Sequence, residues 1–258
     1  MFRQVTKSRM SPAYGFNMIQ VSASRKQLRT ILCQNLAVTT CLISVVGGLL
    51  ALAGWWLGIP MLTSIFPGLA SMKPITAIAF VFAGATLWLL LATEFSKFPR
   101  VMAAEAFAAM GILVGLVTLI EYRLNVKLGL DDLLFSSALR GIHVAHPGRM
   151  SETTALAFVL LNCSLALRNF QARVLHLLTE GLAWLVILIG FVAMLGYVYR
   201  VHAFYGASAY SFMAMETALL FILLGNGVLL ARPNAGIASV IISDRIGGTV
   251  ARRLLPVV

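Results

Sequence analysis

The sequence predicts an all-α membrane protein of six transmembrane helices, arranged as three helical hairpins that repeat in parallel around a pseudo-threefold axis. Three observations carry that reading: an apolar composition, six apolar blocks near spanning length, and one motif that recurs three times. Of 258 residues, 60% are hydrophobic and only 11% are charged, and the mean hydropathy is +0.91. A soluble domain carries about 25% charged residues, whereas uncharged apolar stretches of about 20 residues mark membrane spans.

The blocks run at about Leu36–Leu57, Ile75–Leu91, Val101–Ile120, Thr153–Leu167, Leu182–Tyr197 and Met213–Leu230. Loop charge then orients them. With the N-terminus inside, fourteen Lys and Arg residues fall on the inner side and six on the outer. That asymmetry follows the positive-inside bias, and it absorbs most of the +11 net charge. A nucleic-acid partner is excluded, because no soluble basic face with aromatic platforms exists to receive one. The expected location is a bacterial inner membrane, crossed several times, with both termini cytoplasmic. Residues 1–30 read as a basic cytoplasmic tail, 31–232 as the membrane domain, and 233–258 as a second tail lying on inner-leaflet lipid.

The repeat is the most informative feature. Met72, Thr76, Ala77 and Phe80 recur at the same offsets as Met150, Thr154, Ala155 and Phe158, and again as Met213, Thr217, Ala218 and Phe221. The preceding block echoes too, with Gly48 and Trp55, Gly115 and Tyr122, and Gly190 and Tyr197, each pair seven residues apart. The hairpin units cover about 36–93, 101–170 and 174–232. From aromatic to methionine the outer connections span 17, 28 and 16 positions. Small residues at the recurring offsets (Gly84 and Gly225, though Asn162 in the second copy) suit close helix packing in lipid.

With these motifs in hand, the chain resembles the N-terminal multi-helix membrane module found ahead of PAS-containing sensor histidine kinases and diguanylate cyclases in bacteria. The resemblance is carried by Pro147-Gly148-Arg149-Met150-Ser151 with Thr154-Ala155-Leu156-Ala157-Phe158, by Leu133-Leu134-Phe135, and by the tail from Ser243 through Gly248 with Ala251 through Pro256. It covers roughly Gly48 to Pro256. The resemblance implies an input module that passes a signal to a cytoplasmic output domain. This chain departs from it by carrying no phospho-acceptor box, no nucleotide-binding glycine loop and no GGDEF-like run, so no enzymatic activity is expected.

Candidate sites follow from the repeat and from the longest outer connection. Trp55, Tyr122, Tyr197, Met72, Met150 and Met213 sit at the outer ends of paired helices. As a ring they would rim a pocket for an apolar or aromatic ligand, with Arg149 and Arg200 for an anionic end. Interface anchoring is the competing account of the aromatics. His143 and His146, near Asp131 and Asp132, have spacing for a divalent metal, against the simpler reading of a solvated loop. Thr76, Thr154, Thr217, Phe80, Phe158 and Phe221 are expected at matching depths as structural repeat positions. Glu105 and Glu180 read as acids near inner helix ends, or as a proton or cation site.

The resulting expectation is a non-catalytic sensory or regulatory membrane module. Its partners would be membrane lipid and a cytoplasmic signalling domain or protein, with a homodimer left open. A transporter or channel is the alternative, and an accessory subunit of a larger complex is a third. No cofactor is named by the residues.

Overall fold

The computed structural model describes residues 12–64, 69–92, 97–126, 148–170, 172–199 and 213–232. Among them every regular element is helical. The helices are α1 (Pro12–Leu57), α2 (Pro60–Thr63), α3 (Pro74–Leu91), α4 (Lys97–Leu124), α5 (Glu152–Leu167), α6 (Arg173–Tyr199) and α7 (Met215–Leu230). Among the described residues four stretches are long and apolar enough to cross a membrane: Gln27–Leu57, Pro74–Leu91, Phe98–Leu124 and Arg173–Tyr199. α5 and α7 are shorter apolar helices of 16 residues each.

Local chemistry sets the ends. Gly58, at φ +67°, leaves α1 in the left-handed region, and the Ile59 N–H closes back on the Gly54 carbonyl at 2.9 Å. Asn125, at φ 52°, does the same after α4. Pro74 opens α3 at a first-turn position, where its missing N–H costs nothing. Ser151 caps α5 by accepting from the Thr154 N–H at 3.2 Å, with Glu152 in the first turn.

Three helix starts differ from the sequence reading. Within the basic segment of residues 1–30, residues 12–30 are continuous with the first span, because α1 is one unbroken helix from Pro12; residues 1–11 lie outside the described residues. Hydropathy falls before Leu36, but helix propensity does not, and no glycine or proline interrupts residues 16–46. α4 and α6 likewise start about a turn or more early. Glu105 and Glu180 therefore lie two turns inside their helices, beyond the reach of the N-terminal N–H groups. Glu105 is exposed and Glu180 half-buried.

Each helix packs on the next around the bundle: α1 on α3, α3 on α4, α4 on α5, α5 on α6, α6 on α7, and α7 back on α1. α3, α5 and α7 also touch one another at the centre. There Phe80, Phe158 and Phe221 are fully buried and meet pairwise, with ring centroids 4.7, 4.8 and 4.9 Å apart in tilted or edge-to-face geometry. The outer helices turn a second apolar face away from this core. Leu42, Leu49, Leu113, Ile120, Leu188 and Phe191 are all exposed. A helix apolar on both faces is stable only with hydrocarbon on the outside.

Glycine lets the paired helices touch backbone to backbone. A methyl at Gly48 would lie 2.6 Å from the Ala77 carbonyl oxygen. At Gly115 it would lie 2.8 Å from that of Ala155, and at Gly190 2.7 Å from that of Ala218. In each pair the glycine meets the alanine five residues after the recurring methionine. Gly115→Ala and Gly190→Ala should therefore push their partners apart, each costing about 1–3 kcal/mol in reversible unfolding from mixed micelles. A neutral result at both would show that the helices can separate without loss.

Candidate functional site

The aromatic and methionine residues expected to gather at the outer surface lie at the end of the bundle where α1, α4 and α6 finish, and each aromatic there has a definite task. The Trp55 Nε1–H donates to the Met72 carbonyl at 2.7 Å. The Tyr122 hydroxyl donates to the Met150 carbonyl at 3.1 Å, and that of Tyr197 to the Met213 carbonyl at 2.6 Å. Each half-buried ring thus staples the start of an inner helix to the outer helix of the same hairpin. The carbonyl it satisfies precedes the first helical turn and has no ladder partner of its own. The three methionine side chains are buried, as are Thr76, Thr154 and Thr217. Glu216 adds a cross-hairpin tie, accepting from the Met72 N–H at 3.0 Å.

The second hairpin carries a feature that the sequence reading missed. Arg149, expected to hold an anionic ligand, instead turns its Nε to the Glu121 carboxylate at 3.4 Å. The two side chains are only 4% and 1% exposed. An Arg149 Nη2–H also donates to the Val126 carbonyl at 3.4 Å, and the guanidinium carbon lies 5.3 Å from the centre of the Tyr122 ring. A buried pair of this kind contributes little net stability but is costly to break from one side. Its signal was present in the sequence. Glu121 directly precedes the recurring aromatic and Arg149 directly precedes the recurring methionine, so the staple that joins one pair aligns the other.

At the opposite end, where α3, α5 and α7 finish, the chemistry is cationic. Arg168 is the C-cap of α5, and an Nη2–H donates across the core to the Ala231 carbonyl at 2.8 Å. Arg232 follows directly and is in contact with the His176 ring through Nη1. Ser44, midway along the bundle, and Ser164, in the last turn of α5, tie neighbouring helices together. Their hydroxyls donate to the Phe80 carbonyl at 3.0 Å and the Thr179 carbonyl at 2.8 Å.

His143, His146, Arg200 and His202 lie outside the described residues, as do Asp131, Asp132 and the tail motifs from Ser243 onward. Among the described residues no group of three His, Cys, Asp or Glu side chains is placed to hold a metal ion. The free cysteines Cys33 and Cys41 are buried and Cys163 is half-buried. No protein-family profile, curated protein or solved structure matches this chain.

Proposed function

We propose that the chain is a non-catalytic membrane module that senses a ligand at or in the membrane and passes a conformational bias to a cytoplasmic output domain or partner. In this reading all six long and short apolar helices span the bilayer as three parallel hairpins related by a pseudo-threefold axis. The equal offsets of the three staples, the three glycine contacts and the three phenylalanines support the repeat. A 16-residue helix rises roughly 24 Å, and the buried segment Arg149–Ser151 extends α5 toward the outer surface.

One observation carries the functional choice. The axis on which a conduit would run is filled by Phe80, Phe158 and Phe221 in mutual contact. A transporter needs a polar mid-membrane site that opens alternately to each side. A packed aromatic core instead couples all three hairpins, so that a shift at the outer end is felt at the inner one. Interfaces of this density tend to switch between discrete packings and not to deform gradually.

Purification of the full chain in native detergent, with mass spectrometry of whatever accompanies it, tests the reading. Co-purification of a kinase- or cyclase-type protein is the expected result. Saturable solute flux in proteoliposomes would replace the module with a transporter. Topology is tested separately by single cysteines in a background lacking Cys33, Cys41 and Cys163. A cysteine at Ser136 should label from outside and one at Ser96 only after permeabilisation. The reverse pattern would invert the orientation.

A further inference from the structure

Arg168 presents a buried charge that the described chain does not balance. It is 8% exposed, and its Nη2 is satisfied by the Ala231 carbonyl. Among the described residues its Nε–H and both Nη1–H donors have no hydrogen-bond partner. Among the described residues no carboxylate pairs with it. Arg232, one residue beyond that carbonyl, adds like charge. Arg232 in turn leans on His176, which supplies no negative charge.

A guanidinium kept from water without a counter-ion is among the more costly arrangements a fold can hold. Capping the last carbonyls of α7 explains one donor and leaves the rest idle. The same offset from the recurring methionine holds Leu90 in the first copy and Ala231 in the third, so packing alone does not call for arginine here.

We propose that Arg168, with Arg232, forms a binding site for a phosphate group at the end of the bundle where α3, α5 and α7 finish. A phosphate supplies several acceptor oxygens and the negative charge that the pair lacks, and arginine is the side chain best shaped to meet it. Burial first, and the adjacent Arg232 second, press the Arg168 pKa down to about 10, the penalty that an anion would relieve. Two sources carry this chemistry: the headgroup of an anionic phospholipid, and a free phosphate. The site stands independently of the sensory reading and of which face of the membrane this end occupies.

The test is phosphorus NMR on the full chain in phosphorus-free maltoside micelles. One arm titrates inorganic phosphate and the other short-chain phosphatidylglycerol, with phosphatidylcholine, whose phosphate is already paired with its own choline cation, as the net-neutral control. Saturable line broadening in either charged arm is expected, and the arm that saturates names the source. Arg168→Gln should weaken that binding by roughly tenfold or more, and Arg232→Gln by a few-fold. Arg168→Lys, which keeps the charge, should retain most of it. If Arg168→Gln does not fold, the wild-type titration with Arg168→Lys and Arg232→Gln decides. No saturable broadening by the wild type in either charged arm overturns the site. So does equal binding by the phosphatidylcholine control, or by folded glutamine variants.

Discussion

Replacing Phe158 by alanine is expected to cost about 3 kcal/mol in reversible unfolding from mixed micelles. That is the lower end of the range for Phe→Ala in protein cores. The lower end applies because the alternative environment is lipid and not water, so the loss is of packing more than of hydrophobic transfer. Phe158 is fully buried and is in edge-to-face contact with both Phe80 and Phe221. Removing it therefore ends two aromatic contacts at once, each worth about 0.5–1.5 kcal/mol beyond area. Phe80→Ala and Phe221→Ala should cost the same to within about 1 kcal/mol, because each ring also meets two others. The double variant of any two should cost less than the sum, since they share a contact. If one of the three is neutral, the rings do not form a common core.

Arg149→Met should be comparably severe, at about 3–5 kcal/mol, for a different reason. The substitution keeps volume but leaves the Glu121 carboxylate, only 1% exposed, without its cation. The paired change Glu121→Leu with Arg149→Met should recover most of the loss, because an apolar pair of similar size removes both desolvation penalties. Full recovery would mean that the ion pair sets specificity and not stability. No recovery would mean that the Val126 carbonyl and the Tyr122 ring are the partners that matter. A two-by-two cycle followed by SDS titration reads the difference.

Much of this arrangement was legible in residue order alone. The echo of Met, Thr, Ala and Phe pointed to helices of like burial, because positions four apart on a helix share a face. The hairpin partners followed from the echo in the preceding block, where Gly48 and Trp55, Gly115 and Tyr122, and Gly190 and Tyr197 recur ahead of each methionine motif. Hydropathy was less informative at helix ends, where Arg29, Lys97 and Arg173 are polar yet helical. Side chains as long as those of Arg29 and Arg173 can carry their charge into polar surroundings without ending the helix. The aromatic residues were grouped with the methionines as a ligand rim, whereas the link the structure shows is a hydrogen bond to each methionine carbonyl, which residue type does not announce. Glu121 was passed over and Arg149 was assigned to a ligand. A charge pair 28 residues apart becomes visible only once the repeat supplies the register. Arg168 was counted as topology charge, since nothing in composition separates a buried cation from a snorkelling one.

The second hairpin has one further property, seen where its helices cross. Asn162 stands at the position that is Gly84 in the first copy and Gly225 in the third, and a methyl on Gly111 would collide with its amide. In the other copies the small residue is on the inner helix, and Val45 with Ser44, or Ile187, approaches it from the outer one. The bulk has thus changed sides within a single unit. After such an exchange the duplicated units are no longer interchangeable parts. Grafting α3 or α7 against α4 would leave a hole at Gly111, while grafting α5 against α1 or α6 would drive two side chains into one volume. Descendants of this chain can vary the two positions only together, and a recombinant that shuffles single helices between units would be lost, whereas one that shuffles whole hairpins would survive.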